Sequence, residues 1–129
     1  MNYTENYQLP QWEKTDRILM EDFNEAMLKL DGAVRITCGT YTGNGAATRD
    51  IELGFRPRAV YVCTRGGLTG SVETYEFCYG GLALDGSPAM RSGQSVITVT
   101  DNGFRLSTPN STYVLVNHSS YQYCYIAFQ

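Results

Sequence analysis

The chain has few of the side chains on which most enzymes and metal proteins depend. Its 129 residues include one histidine, His118, and four cysteines without any C-x-x-C pair. Structural zinc sites need closely spaced ligands, and the four cysteines are far apart. Each cysteine lies in an apolar or aromatic run, which favours buried thiols acting as small hydrophobic side chains. We therefore expect no metal and no cofactor. The cysteines are Cys38, Cys63, Cys78 and Cys124.

Catalytic patterns are similarly scarce. His118 has serines beside it, but no G-x-S-x-G elbow is present to hold a nucleophile. Asp50 and Glu52 lie two residues apart on one predicted strand face, a spacing compatible with acid–base hydrolysis. Arg49 and Arg56 lie nearby and supply counter-charges, as on a solvated strand face. We expect the chain not to be an enzyme, and a small hydrolase is the last alternative.

Charge and hydropathy disfavour two further classes. The formal net charge is -3, so no basic surface is expected to track nucleic-acid phosphates. The first residues lack the basic start and the apolar stretch of a secretory signal. No apolar run approaches the length of a membrane span. We expect no nucleic-acid partner, no export by the general route and no membrane insertion.

Glycine is missing from the beginning of the chain, and all 13 glycines lie from Gly32 onward. The first segment, residues 1–33, contains one predicted helix, with Asp16 as a candidate start cap and Gly32 as the end. Its apolar side chains recur every three or four residues and form one stripe. A helix of about three turns is marginal alone, so the stripe packs either on the β-rich remainder or against other copies. The stripe consists of Phe23, Met27, Leu30 and Val34.

The residues that precede this helix combine aromatic side chains with no periodicity. This composition predicts an extended arm, of the kind that is either disordered or laid along a neighbouring subunit. The side chains that would make its contacts are Tyr3, Tyr7, Leu9 and Trp12.

The second segment, residues 34–129, is predicted to be all-β. About eight short runs rich in β-branched and aromatic residues alternate with turn-forming clusters. This spacing predicts an antiparallel, jelly-roll-like β-sandwich, to which the first segment adds one short helix. The closing run "YQYCYIAF" places its tyrosines on one face, and Cys124, Ile126 and Phe128 on the other. We expect the core on one face and a row of tyrosines on the other.

The stretch "GNGAAT" at residues 43–48 has two interpretations. A phosphate-binding loop needs a helix after its glycines. Here the glycines lead into an alternation of Ile51, Leu53 and Phe55, which is a strand period. We therefore predict a type I′ hairpin turn, for which Asn-Gly is well suited.

Tyrosine is abundant, with ten residues in the chain. Its flat apolar ring and polar tip suit sugar stacking and hydrated protein interfaces, although cross-strand packing is the alternative role. Binding residues concentrate in loops and at strand ends. The candidate ligand contacts at such positions are Arg65, Tyr75, Tyr79, Asp85, Arg91, Asn117, His118 and Tyr121.

Two parts of the chain resemble bacteriophage tail proteins. "NYQLPQWEKTDRILMEDFNEAMLKLDGAV" resembles the N-terminal segment of tail-fibre and tail-associated proteins from phages and prophages of gut Firmicutes, where a similar lead precedes a D-F-N helix. "YTGNGAATRDIELGFRPRAVYV", "DNGFRL" and "YQYCYIAF" resemble the β-rich C-terminal knob of such proteins. Together these matches cover most of the chain.

The resemblance implies a virion structural or receptor-binding protein. It implies a homotrimer whose helices pack about a threefold axis through Phe23, Met27, Leu30 and Val34. The arm residues Tyr3, Tyr7, Leu9 and Trp12 would contact other virion proteins, and the knob would bind a bacterial surface glycan or protein. Such a protein is made in the bacterial host cytoplasm and works in the virion, on the tail or a surface appendage.

Tail fibres are usually longer and carry shaft repeats, whereas this chain passes directly from helix to knob. Two alternatives therefore stay open. One is a virion attachment or decoration protein of the head or tail without a receptor role. The other is a stand-alone carbohydrate-binding module.

Overall fold

The computed structural model describes residues 1–33, 35–72, 76–109 and 113–129. The chain divides into two compact units, Met1–Val34 and Arg35–Gln129. Val34 of the predicted stripe and Tyr75 of the predicted ligand contacts lie outside the described residues.

The N-terminal unit begins with a small hairpin, where the sequence predicted an extended arm. Strand β1 (Asn2–Tyr3) pairs antiparallel with β2 (Pro10–Gln11). Strands of two residues are too short to show a period, so the hairpin has no sequence signal of the usual kind. Of the arm residues, Tyr3 and Tyr7 are exposed, and Leu9 and Trp12 are half-buried.

The predicted helix is confirmed as α1, which spans Met20–Asp31. It starts after Leu19 without a side-chain cap, so the prediction that Asp16 caps it is wrong. Asp16 instead accepts a hydrogen bond from the backbone N–H of Glu13 at 2.8 Å and pairs with the N-terminal ammonium at 3.0 Å. Gly32 does end the helix as its C-cap residue, and its N–H donates to the carbonyl of Leu28 at 3.0 Å.

The apolar stripe of α1 is mostly exposed. Phe23 is 49% exposed, Met27 44% and Leu30 47%. The buried helical residue is Ala26, and on the same side the ammonium of Lys29 donates to the carbonyl of Gln8 at 3.0 Å. The side of the helix that carries Ala26 and Lys29 therefore faces the N-terminal hairpin, and the hairpin does not cover the apolar stripe.

The described residues of the C-terminal unit form ten strands. They are β3 (Ile36–Thr42), β4 (Thr48–Glu52), β5 (Ala59–Thr64), β6 (Gly70–Val72), β7 (Glu76–Cys78), β8 (Gly81–Leu84), β9 (Ala89–Arg91), β10 (Gln94–Thr100), β11 (Gly103–Ser107) and β12 (Gln122–Phe128). One four-stranded sheet has the order β4-β11-β10-β9, and the other has the order β3-β12-β5-β8. Strands β6 and β7 form a separate pair. The pairings within these sheets are all antiparallel.

One hydrophobic core takes side chains from both four-stranded sheets. Val60 and Val62 of β5 and Phe104 of β11 are completely buried in it. The ring of Phe104 meets the ring of Tyr125 edge-on, with 5.1 Å between centroids. The expected fold class, an antiparallel β-sandwich with one short helix, is thus confirmed.

The prediction that the tyrosines of β12 lie on the face away from the core is wrong, because the tyrosine side of the strand is its core side. Tyr123 and Ala127 are fully buried, and Tyr125 packs against the core. Ile126 and Phe128 alternate with them and so point away from the core. Alternation gives the period of a strand but not the direction in which each face points.

Tyrosine can fill this core because its hydroxyl finds acceptors. The rings of Tyr41 and Tyr123 stack with centroids 4.8 Å apart and planes 12° apart. The hydroxyl of Tyr41 donates to the carbonyl of Val116 at 2.7 Å. The hydroxyl of Tyr123 donates to the carbonyl of Leu115 and accepts the N–H of His118. A buried hydroxyl without such partners would destabilise the fold.

The opposite side of the β3-β12-β5-β8 sheet presents an apolar surface, which we call the outer apolar face. Along the strand register, Ile126 lies opposite Tyr61, and Tyr61 lies opposite Leu82. Leu82 is 54% exposed and Tyr61 38%. The members of this face are Ile36, Tyr61, Leu82, Leu84, Ile126 and Phe128.

The middle of the C-terminal unit departs from the predicted strands. One of the β-branched runs, "TYVLVN", does not become a strand, because residues 113–117 form a loop in which Val114 makes an isolated bridge with Cys78. Strands β8 and β9 were not predicted. Both are short and lie among glycines and Pro88, which mask a strand period.

Removing the Tyr123 hydroxyl tests whether the tyrosine side of β12 faces the core. Replacing Tyr123 with Phe leaves the N–H of His118 and the carbonyl of Leu115 without their partner, so we expect the free energy of unfolding to fall by about 1–3 kcal/mol. Urea denaturation monitored by circular dichroism measures this change. Tyr121→Phe is the matched control, because Tyr121 is 37% exposed, and should change stability by less than about 0.5 kcal/mol. Equal effects of the two substitutions would contradict the inward orientation of Tyr123.

Candidate functional site

The G-N-G stretch connects the two sheets and is not a hairpin turn. Strand β3, before it, pairs with β12, whereas β4, after it, pairs with β11. The type I′ hairpin prediction is therefore wrong, because a local turn signal does not specify which strands pair. The expectation of a strand after the glycines is confirmed by β4, so a phosphate-binding loop with its helix is not formed.

Asn117 holds this connection in place. Its amide nitrogen donates to the side-chain oxygen of Asn44 at 2.7 Å and to the carbonyl of Ala46 at 3.2 Å. Its side-chain oxygen accepts the N–H of Asn44 at 3.2 Å and a guanidinium N–H of Arg49 at 3.1 Å. Asn117 was predicted as a ligand contact; it is 1% exposed, and its side chain is engaged in these bonds within the chain.

The backbone of the same connection is tied to the loop that contains Asn117. The N–H of Gly45 donates to the carbonyl of Asn117 at 2.8 Å, and the N–H of Gly43 donates to the carbonyl of Tyr121 at 3.0 Å. A Cβ on Gly43 would lie 2.0 Å from the carbonyl oxygen of His118. Glycine is required there because the two backbone segments are in direct contact, and the contact fixes the loop that carries His118 and Tyr121.

That loop contributes to a run of neighbouring rings, which we call the aromatic row. Tyr79 lies 5.4 Å from Tyr121 and 6.3 Å from Phe77, measured between ring centroids. His118 lies 5.5 Å from Tyr121, and Tyr113 lies 5.7 Å from Phe77. The members of the row are Phe77, Tyr79, Tyr113, His118 and Tyr121.

The row brings together three residues that the sequence analysis proposed separately, Tyr79, His118 and Tyr121. Tyr121 and His118 are exposed, and Tyr79 is half-buried. Phe77 and Tyr113 were not predicted. Phe77 is two residues from Tyr79, so strand alternation was the available signal for it, but Tyr113 joins the row through loop geometry alone.

A surface cavity of about 480 Å³ lies at the end of β12. Arg65 donates from its guanidinium to the side-chain oxygen of Gln122 at 2.8 Å, and its backbone N–H donates to the carbonyl of Gln122 at 2.9 Å. None of the described residues of the aromatic row is among those that line the cavity. The lining residues are Thr40, Tyr41, Thr42, Arg65, Gln122 and Tyr123.

The two other predicted ligand contacts make ion pairs of their own. Asp85 pairs with Arg56 at 2.7 Å, and Arg56 also pairs with Asp101 at 2.5 Å. Hydrogen bonding to Arg56 lowers the pKa of Asp85. Arg91 pairs with Glu76 at 3.5 Å. Neither Asp85 nor Arg91 is among the residues that form the row or line the cavity.

The carboxylates considered for hydrolysis lie on β4. The guanidinium of Arg105 donates two hydrogen bonds to Asp50, at 2.7 and 3.1 Å, and this bonding lowers the pKa of Asp50. A general acid in glycoside hydrolysis needs a raised pKa. The arrangement therefore keeps Asp50 ionised and does not favour it as the proton donor.

No protein-family model, curated protein or solved structure matches this chain. Within the described residues, no helix has both the length and the apolar character needed to cross a bilayer. Support for a function must therefore come from the sequence resemblance and from the geometry of the chain.

Asn117→Ala tests whether Asn117 organises the site. The substitution removes the partners of Asn44, Ala46 and Arg49 in a partly buried network, and we expect the free energy of unfolding to fall by about 2–4 kcal/mol. Asn102→Ala is the control, because the side chain of Asn102 is exposed, and we expect a change below about 0.5 kcal/mol. Chemical denaturation of both variants measures the difference. An unchanged midpoint for Asn117→Ala would contradict the structural role.

Proposed function

We propose that the chain is a non-enzymatic bacteriophage virion protein of the tail-fibre kind, which assembles as a homotrimer and binds a bacterial surface glycan or protein. The observation that carries the receptor-binding part is the aromatic row, in which the ring of Tyr121 is exposed. The sequence resemblance supplies the class of protein, and the exposed helix stripe supports assembly.

The row supplies aromatic rings and the cavity supplies polar groups, and glycan-binding surfaces use both kinds of contact. Aromatic rings stack on the apolar faces of sugar rings, while hydroxyl, amide and guanidinium groups bond to sugar hydroxyls. Tyr121 supplies an exposed ring, and Thr42, Arg65 and Gln122 supply polar groups at the cavity. Rings held in place before binding lose little conformational entropy when a ligand arrives.

The helix stripe supports self-assembly. Three large apolar side chains, each between 44% and 49% exposed, share one face of a three-turn helix. Completely burying such a side chain contributes about 1.5–3 kcal/mol. The spacing of Phe23, Met27 and Leu30 fits the a and d positions of a coiled coil, in which the same residues of neighbouring copies interlock.

A purely structural virion role is the second candidate. Tyr3 is 52% exposed and Tyr7 is 53% exposed on the N-terminal hairpin. Exposed aromatic side chains on a small hairpin suit attachment to another virion protein. This candidate shares the assembly step and differs in that the aromatic row would have no receptor.

Binding measurements separate the two candidates. We expect the wild-type protein to bind in a panel of immobilised bacterial cell-surface polysaccharides, and Tyr79→Ala and Tyr121→Ala each to weaken binding at least about tenfold. Tyr61→Ala is the matched control, since Tyr61 is 38% exposed on the outer apolar face and not in the row. Retained binding by both row variants, or an equal loss with Tyr61→Ala, would contradict the proposed site. Absence of binding to polysaccharides and to intact host cells would favour the structural role.

Sedimentation equilibrium tests assembly. We expect the wild-type chain, of 14.4 kDa, to sediment at three times this mass at micromolar concentration. Phe23→Glu and Met27→Glu each place a charge in the stripe and should produce monomers, because a buried charge without a partner is strongly unfavourable. Leu28→Glu is the control, since Leu28 is 72% exposed and lies away from the stripe on a helix of 3.6 residues per turn. A wild-type mass of one chain would overturn the trimer.

A further inference from the structure

Two cysteines meet on the side of the β3-β12-β5-β8 sheet that faces away from the core. Cys63 of β5 and Cys124 of β12 are directly opposed in the antiparallel register. Their sulfur atoms lie 3.3 Å apart, although the residues are 61 positions apart in the chain. The closing run "YQYCYIAF" therefore places a second thiol against the first.

The backbone geometry at this pair suits a covalent bond. Opposed residues of antiparallel strands have Cα atoms about 4.5–5.5 Å apart. Disulfides accept Cα separations of about 4.4–6.8 Å. The sulfurs would need to approach to about 2.05 Å, a change that small side-chain rotations can supply without breaking the strand pairing.

We propose that Cys63 and Cys124 form a reversible disulfide when the protein encounters a peroxide. The proposal depends only on the placement of these two thiols and does not require the function proposed above. It assigns a modification site to a pair of side chains that neither the aromatic row nor the helix stripe uses.

The reaction runs in two balanced steps. The sulfur of Cys124 attacks hydrogen peroxide, the O–O bond breaks, and hydroxide leaves with the thiol proton as water, giving a sulfenic acid. The sulfur of Cys63 then attacks that sulfur, the S–O bond breaks, and the hydroxyl group leaves with the second thiol proton as water. Two thiols are oxidised to one disulfide while one peroxide is reduced to two waters.

The surroundings of the two cysteines decide which thiol reacts with peroxide first. Cys124 is half-buried, whereas Cys63 is buried, so the peroxide reaches Cys124 more easily. Burial, reinforced by the hydrogen bond with Cys124, raises the pKa of Cys63 to about 11. Because the thiolate is the attacking form, we expect disulfide formation to accelerate as the pH rises.

The two remaining cysteines provide internal comparisons. Cys38 is exposed on β3 and lies opposite Ile126, two residues beyond Cys124 along β12. The thiol of Cys78 in β7 donates to the carbonyl of Gly80 at 3.6 Å. If exposure alone decided reactivity, Cys38 would be the most reactive cysteine. Proximity instead predicts a disulfide between Cys63 and Cys124, so the two explanations predict different products.

The sequence allows the bond to be located unambiguously. Trypsin separates the four cysteines into four peptides, residues 36–49, 59–65, 66–91 and 106–129. The reduced full-length protein is treated with hydrogen peroxide, its remaining thiols are blocked with iodoacetamide, and the digest is analysed without reductant. We expect a peptide 59–65 joined to 106–129, lost on addition of dithiothreitol, and the same product from Cys38→Ser.

Variants and thermal unfolding complete the test. Cys63→Ser and Cys124→Ser should each abolish the joined peptide. Oxidation should raise the melting temperature of the wild type and of Cys38→Ser by at least about 5 °C, because the bond constrains the unfolded chain, and should not raise it in Cys63→Ser. Alkylation of both Cys63 and Cys124 after peroxide treatment, with Cys38 oxidised or joined between chains, would overturn the proposal.

Discussion

The stacked pair of Tyr41 and Tyr123 is the interaction on which the arrangement of this chain depends. Both rings lie in the core of the sandwich, and both hydroxyls reach backbone groups of residues 115–118. Burial raises the pKa of Tyr123 to about 12, because the neutral hydroxyl is the form that the interior accepts. One pair of side chains thus packs in the core and also holds residues 115–118, which form no strand.

Three features of the surface follow from this pair. The fastened loop holds Asn117, which anchors the connection between the two sheets, and presents His118 and Tyr121 in the aromatic row. Because the tyrosine side of β12 faces inward, Ile126 faces outward and becomes part of the outer apolar face. The same alternation brings Cys124 against Cys63 on that outer side. The candidate binding surface and the thiol pair thus both depend on the inward orientation of Tyr123 in β12.

Sequence reasoning could predict what depends on local patterns. The helix over Met20–Asp31 carries its own periodicity, and the β-sandwich follows from many short β-rich runs. The inward face of β12 could not be inferred in this way, since tyrosine suits either side and the carbonyl acceptors come from another segment. Asparagine is a residue type typical of exposed loops. Asn117 is nevertheless buried, and its side-chain partners lie 68 to 73 residues away in the chain. The separated pairing of β3 and β4 is likewise non-local.

Tyr79, His118 and Tyr121 were identified by residue type and position, whereas their assembly into one row required the fold.

Tyrosine titration tests the central claim, that Tyr123 is buried and hydrogen-bonded, most directly. Its raised pKa means that its contribution to stability is complete below a pH of about 10, the pKa of an unfolded tyrosine, and is lost as the pH rises toward about 12. The measurement is the ultraviolet absorbance of tyrosinate, recorded between about pH 9 and pH 11 for the wild type and for Tyr123→Phe, with circular dichroism confirming that both stay folded. The account predicts equal absorbance changes in the folded proteins, and a larger change in the wild type once both are unfolded. A larger change in the folded wild type over this range would show that Tyr123 ionises freely, and would contradict its place in the core.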